Sequence, residues 1–143
     1  MSSGVFNRGA YILLADAGVS WDGSTDVRVL LVTSTWTPDP DLNFVSQLTN
    51  ELSGGNYVRK ATASRTLTED DANNQVVLDA ADITWTALGA AAGTPAYAIA
   101  YKYNASDAAA ELIAWDALTS PPIPNGGDYT VQWNAEGLVK LTT

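Results

Sequence analysis

The chain contains no cysteine and no histidine. A thiol nucleophile, a disulfide, an iron–sulfur cluster and a Cys/His zinc site are all excluded by that. Histidine-based triads lose their imidazole base, so proton transfer near neutrality would fall to perturbed carboxylates, Lys or Tyr. Positive charge is also scarce: 7 Lys and Arg stand against 16 Asp and Glu, for a net charge of −9. The seven basic residues are scattered, and a surface of this sign repels phosphate, so no direct nucleic-acid partner is expected. Long apolar runs are missing too. Ala10 to Ala15 is a run of six residues, where a membrane-spanning helix needs about twenty. It is also shorter than the apolar stretch of a secretory signal, so synthesis in the cytoplasm is expected and no membrane partner. Ser53-Gly54-Gly55-Asn56 lacks the lysine and the spacing of a phosphate-binding loop.

What is present is apolar and punctuated. Hydrophobic residues make up 46% of the chain and charged residues 16%, too apolar for a disordered chain. At 143 residues, one β-rich domain over 1–143 with a sizeable core is expected. Tyr11 to Ala15 reads as a first strand, followed by an Asp22-Gly23-Ser24 turn. Val27 to Thr33 (VRVLLVT) is apolar on both faces, the pattern of a central strand covered on both sides, with Arg28 near its start reaching solvent. Asp39-Pro40 resembles an N-cap followed by proline at the first helical position, and Val45, Leu48 and Leu52 fall on one helical face before Gly54-Gly55. A short helix over 40–52 is therefore expected. Further strands are expected at Tyr57 to Leu67, Gln75 to Asp79, Ile83 to Leu88, Ala96 to Tyr103, Leu112 to Trp115, around Tyr129 to Trp133, and at Leu138 to Leu141, the last two as a hairpin. The fold class that follows is mainly β: an antiparallel β-sandwich or partly closed barrel with one short helix.

Few groupings carry chemistry. Glu69-Asp70-Asp71, with Asn73 and Asn74 close by, is the best candidate for a hard cation such as calcium, but lacks the EF-hand spacing and reads as a solvated turn. A glycosidase-like pair would have to come from Glu69, Asp79, Asp82, Glu111, Asp116 and Glu136. Most of these sit at expected strand ends, where acids serve solubility. Tyr97, Tyr101 and Tyr103 form a row that could stack sugars or meet another subunit; packing of a half-buried strand accounts for it as well. Trp85 and Trp133 share strand faces with Ile83 and with Tyr129 and Val131, and are expected in the core. Asn104-Ala105-Ser106 matches a glycosylation sequon, which has meaning only in a secreted protein. No catalytic, cofactor-binding or metal-ligating residue is assigned on this reading, and no enzyme is expected.

Several stretches together resemble a family of small structural proteins of tailed phages and prophages. They are Phe6-Asn7-Arg8-Gly9-Ala10-Tyr11, Asp26 to Val32, Glu51 to Lys60, Thr68 to Asp71, Asp79 to Trp85, Leu112-Ile113-Ala114 and, most distinctive, Asn125-Gly126-Gly127-Asp128-Tyr129-Thr130-Val131-Gln132-Trp133-Asn134-Ala135-Glu136-Gly137. Their order covers nearly the whole chain. The resemblance implies a non-enzymatic virion component with no catalytic residues to carry over. The expected role is capsid decoration or cement, with the major capsid protein, copies of this chain, or both as partners. A tail, neck or fibre component is the alternative, and a glycan-binding module a more distant one. Ala96 to Tyr103, charged only at Lys102, is expected to present a strand edge that a neighbouring chain covers.

Overall fold

The computed structural model describes residues 3–15, 18–119, 121–134 and 136–143. Two layers of antiparallel strands face one another. The first is a five-stranded sheet of β1 (Gly4–Val5), β2 (Val27–Val32), β3 (Lys60–Ala61), β7 (Tyr97–Lys102) and β8 (Leu112–Ala117), in the order β1-β8-β7-β2-β3. The second holds β4 (Thr66–Asp70), β5 (Gln75–Asp79) and β10 (Val139–Thr142) in the order β10-β5-β4, beside the pair β6 (Ile83–Trp85) and β9 (Tyr129–Val131). The sheets stay open at their ends, so the architecture is a sandwich and not a barrel.

The five-stranded sheet is buried on both faces, which explains why its central strands read as unbroken apolar runs. On one face Val27, Val29 and Leu31 of β2, Ala98 and Ala100 of β7, and Ile113 and Ala114 of β8 meet Leu78, Ile83, Trp85, Tyr129, Val131, Trp133 and Val139 of the second layer. On the other, Leu30, Val32, Tyr97, Ile99, Tyr101, Leu112 and Trp115 are covered by Phe6, Trp36, Val45 and Ala110. Edge-on aromatic contacts tie that second cluster together: Phe6 to Trp115 at 4.8 Å and Trp36 to Tyr97 at 5.1 Å between ring centroids. β7 pairs with β2 on one side and β8 on the other. It is thus an interior strand, and the expected exposed edge at Ala96 to Tyr103 does not exist. Arg28 does reach the rim, where it bonds Asp26 and lies 3.5 Å from the Tyr103 ring centroid.

The mainly β class stands, and so does one short α-helix among the described residues, but the helix lies elsewhere. Residues Asn7–Leu14 form α1, where a strand was expected at Tyr11 to Ala15. Gly9 and Ile12 are its buried residues, and a short apolar run does not by itself separate period 3.6 from period 2. Helix and sheet meet so closely at Gly9 that a Cβ there would lie 2.0 Å from the Ile113 carbonyl oxygen. In the expected helix at 40–52 only Val45–Gln47 is helical, as one 3-10 turn. Its apolar residues serve two different cores: Val45 and Leu48 pack in the cluster under Trp36, Leu52 in the sandwich interior. Its backbone is committed to other segments as well, with Val45 N–H bonded to Ala110, Ser46 N–H to Asp107 and Leu52 N–H to Leu31.

Two further expectations are corrected. Tyr57 to Leu67 is not one long strand, because the chain turns between β3 and β4 with Ser64 at φ 49°. Arg65 holds that turn by donating to the carbonyls of Trp21, Gly23 and Thr25. The last two strands are not a hairpin: β9 pairs with β6 and β10 with β5. Trp133, between them, is anchored across the layer by its backbone N–H to Asp82 at 3.1 Å and its indole N–H to the Ala81 carbonyl at 3.0 Å.

Candidate functional site

The candidate acids are dispersed through the fold. Glu69 is exposed on β4. Asp70 caps the turn after it, accepting from the backbone and side-chain amides of Asn73 and from Gln75, and these bonds hold its carboxyl below the usual range. Asp71 and Asn74 occupy the same exposed turn, with Asn74 at φ 51°. Asp79 accepts from the Ala80 N–H and Asp82 from the Trp133 N–H, both as turn braces. Glu111 is paired with Arg8 and Lys102. Among the described residues no three acids come together as a metal site.

One pair of the candidates does share a concavity. Asp116 near the end of β8 and Glu136 in the turn before β10 both line a cleft of about 270 Å³ where the two layers part. Ser3, Gly4 and Val5 form its wall on the first layer; Asn134, Gly137, Leu138 and Lys140 form the other. A second cleft of about 260 Å³ shares Asp116 and Asn134 with it and runs on past Thr119, Tyr129 and Gln132. β8 is paired with β1 up to Trp115 opposite Gly4, and among the described residues no strand covers the edge beyond it. Ser3 substitutes there with its side chain. Its hydroxyl donates to the Asp116 carboxylate and accepts from the Ala117 N–H at 3.0 Å.

The acids in the cleft differ in environment. Glu136 is exposed and bonds Lys140 one helical turn's spacing along the chain. Asp116 is half-buried, and that burial pushes its carboxyl pKa up, opposed only by the Ser3 hydroxyl. Tyr129, lining the adjoining cleft, has its phenol pushed up to about 12 by burial. A carboxyl of raised basicity in a cleft can hold a proton or pair with a cation brought in from outside.

The aromatic row gives no platform. Tyr97 and Tyr101 are buried, and Tyr103 alone is exposed, stacked under Arg28. Trp85 and Trp133 are core residues as expected, with Trp85 1% exposed and its indole N–H bonded to the Val58 carbonyl at 2.6 Å. Trp21, Trp36 and Trp115 are buried as well. Asn104 uses its side-chain oxygen to accept the Ser106 N–H. Sequence reasoning named Asp116 and Glu136 but had no means of joining them, and it missed Ser3, Asn134 and Lys140. No spacing signal links residues brought together from the start of the chain and from its last quarter. Compared with protein-family models, curated proteins and solved structures, the chain matches none. No helix among the described residues is long and apolar enough to cross a membrane.

Proposed function

We propose that the chain is a non-enzymatic structural protein of a phage virion, a decoration or cement protein that binds the assembled head shell and clamps neighbouring subunits. The observation that carries this reading is where the charge lies. Arg8, Arg28, Arg59, Lys102 and Lys140 are each engaged in ion pairs within the chain, and Arg65 is spent on carbonyl groups. Apart from Lys60 on β3, what remains for a partner is an acidic surface, suited to the outside of a shell and not to contact with packaged DNA. The two-faced core supports the same role, since it leaves a rigid body whose loops are pinned to the sheet. The motif from Asn125 to Gly137 that resembles phage structural proteins contributes β9 and the far wall of the cleft.

Clamping works by mass action: a protein that binds the assembled lattice and not the free subunits stabilises the lattice, and many weak copies act together. Particles lacking the protein should assemble but rupture at lower temperature, and purified protein should restore resistance in a saturable way. Normal shells that fail in tail attachment or host adsorption would replace this reading with a tail, neck or fibre role. Buried Tyr97 and Tyr101 remove the motive for a glycan-binding module.

A further inference from the structure

We propose that the cleft between the two layers is a docking site for a basic side chain, Arg or Lys, presented by a segment of a partner protein, with the Asp116 carboxylate as the residue that receives it. The inference does not depend on the virion reading; it requires only a protein partner with an exposed cation.

The chain has seven basic side chains. Arg8 and Lys102 pair with Glu111, Arg28 with Asp26, Arg59 with Glu51 and Asp107, and Lys140 with Glu136. Arg65 is surrounded by carbonyl oxygens. Lys60 lies on β3, at the opposite edge of the five-stranded sheet from β1 and β8. Among the described residues no basic side chain is therefore left to neutralise Asp116, whose one hydrogen-bond partner among them is the neutral Ser3 hydroxyl. Within the cleft Lys140 and Glu136 offset one another, so its remaining charge is that of Asp116.

A half-buried carboxylate without a counter-charge costs free energy whenever it is ionised. An incoming guanidinium or ammonium offsets that cost, and the charge-assisted bonds it makes are stronger than neutral ones. The position is prepared for it. Ser3 fixes the orientation of the carboxylate by bridging it to the Ala117 N–H. The adjoining clefts, sharing Asp116 and Asn134, give room on both sides for the backbone that carries the cation. Asn134, Gln132 and Thr119 line that path with groups able to bond a peptide.

The test is an NMR titration of the full chain with the peptide acetyl-Gly-Arg-Gly-amide, against acetyl-Gly-Gln-Gly-amide, spermidine and calcium chloride. Saturable shifts are expected for the amides of Asp116, Ala117, Asn134 and Gly137 with the arginine peptide and not with the glutamine peptide. Asp116→Asn should weaken binding by about tenfold or more, the loss of a charge-assisted bond. The Asp116 carboxyl, titrated directly in the wild-type protein, should fall in pKa when the arginine peptide is bound. That measurement decides the matter even if the Asn variant folds poorly. Equal shifts with the glutamine peptide, an unmoved carboxyl titration, or no saturable shift at the cleft overturns the proposal. Tighter response to calcium makes it a metal site instead, and tighter response to spermidine assigns it to free polyamines.

Discussion

Arg59 holds three parts of the chain together with one planar group. It donates to Glu51 through Nε and Nη2, both at 2.7 Å, and to Asp107 through Nη1 and Nη2 at 2.7 and 3.0 Å. Tyr57 joins the same network: its hydroxyl donates to Glu51 and accepts from the Leu31 N–H of β2, and burial pushes its pKa up. The bonds from Arg59 hold the Asp107 carboxyl below its ordinary value of 3.8. Such a group adds stability above its unfolded pKa and loses that contribution as pH falls through the folded one. Asp107→Asn should therefore destabilise the protein at neutral pH, and its gap from wild type should close on acidification below pH 3.8, as followed by urea denaturation across pH. Asp116 has the opposite sign, because its folded pKa is raised above 3.8. Its ionisation costs stability as pH rises from 3.8 through the folded value, so Asp116→Asn should be neutral in acid and stabilising above that window. In the core, Trp85→Ala and Trp133→Ala should each cost roughly 3–5 kcal/mol in the same assay. Wild-type stability in either variant would remove it from the core.

Among the elements, β10 is entered through a glycine that its docking requires. Gly137 turns the chain into it at φ 89°, and a Cβ there would lie 2.5 Å from Val77 Cγ1 and 2.9 Å from the Leu78 carbonyl oxygen. The next residue, Leu138, donates its N–H to that same Leu78 carbonyl. Gly137→Ala therefore sets both conformational strain and a clash against the start of the β5–β10 pairing, at a cost of about 1–3 kcal/mol for the strain alone. Hydrogen exchange should quicken along Val139–Thr142 and Gln75–Asp79. Gly126 is the control, since it has φ 93° but nothing within 4 Å of a Cβ. Its Ala variant should lose less stability and leave β10 protection intact.

At the scale of the molecule, the two hydrophobic clusters share the strands between them. β2, β7 and β8 each supply side chains to both, so neither cluster can open while the other stays packed. Thermal unfolding should be one cooperative transition, with tryptophan fluorescence and far-ultraviolet circular dichroism giving the same midpoint. Separate midpoints would show that the Trp36–Trp115 cluster melts alone. Chelator should leave that midpoint unchanged, since Asp70 is already engaged by Asn73 and Gln75. A fall in EDTA reversed by calcium would make the acidic turn a metal site.

Local pattern was enough for the mainly β class, for the doubly covered β2, for β5 at its observed bounds and for Trp85 and Trp133 as core. In each case the residue types on the two faces of a strand report directly on burial. The strand at Ala96 to Tyr103 was legible as a strand and misjudged as an edge, because apolar alternation says that a face is buried and not which strands flank it. The helix could not be placed locally. Gly9 and Ile12 form a helical face only against β8, while Val45, Leu48 and Leu52, spaced as one face, divide between opposite sides of a sheet. The cleft was legible only as separate acids. Ser3, Asp116 and Glu136 lie far apart along the chain, and only the pairing of β1 with β8 and of β10 with β5 sets them around one opening. Composition determined how few cations the chain has; the tertiary structure decided where each is committed, and so left the half-buried Asp116 of the cleft without one.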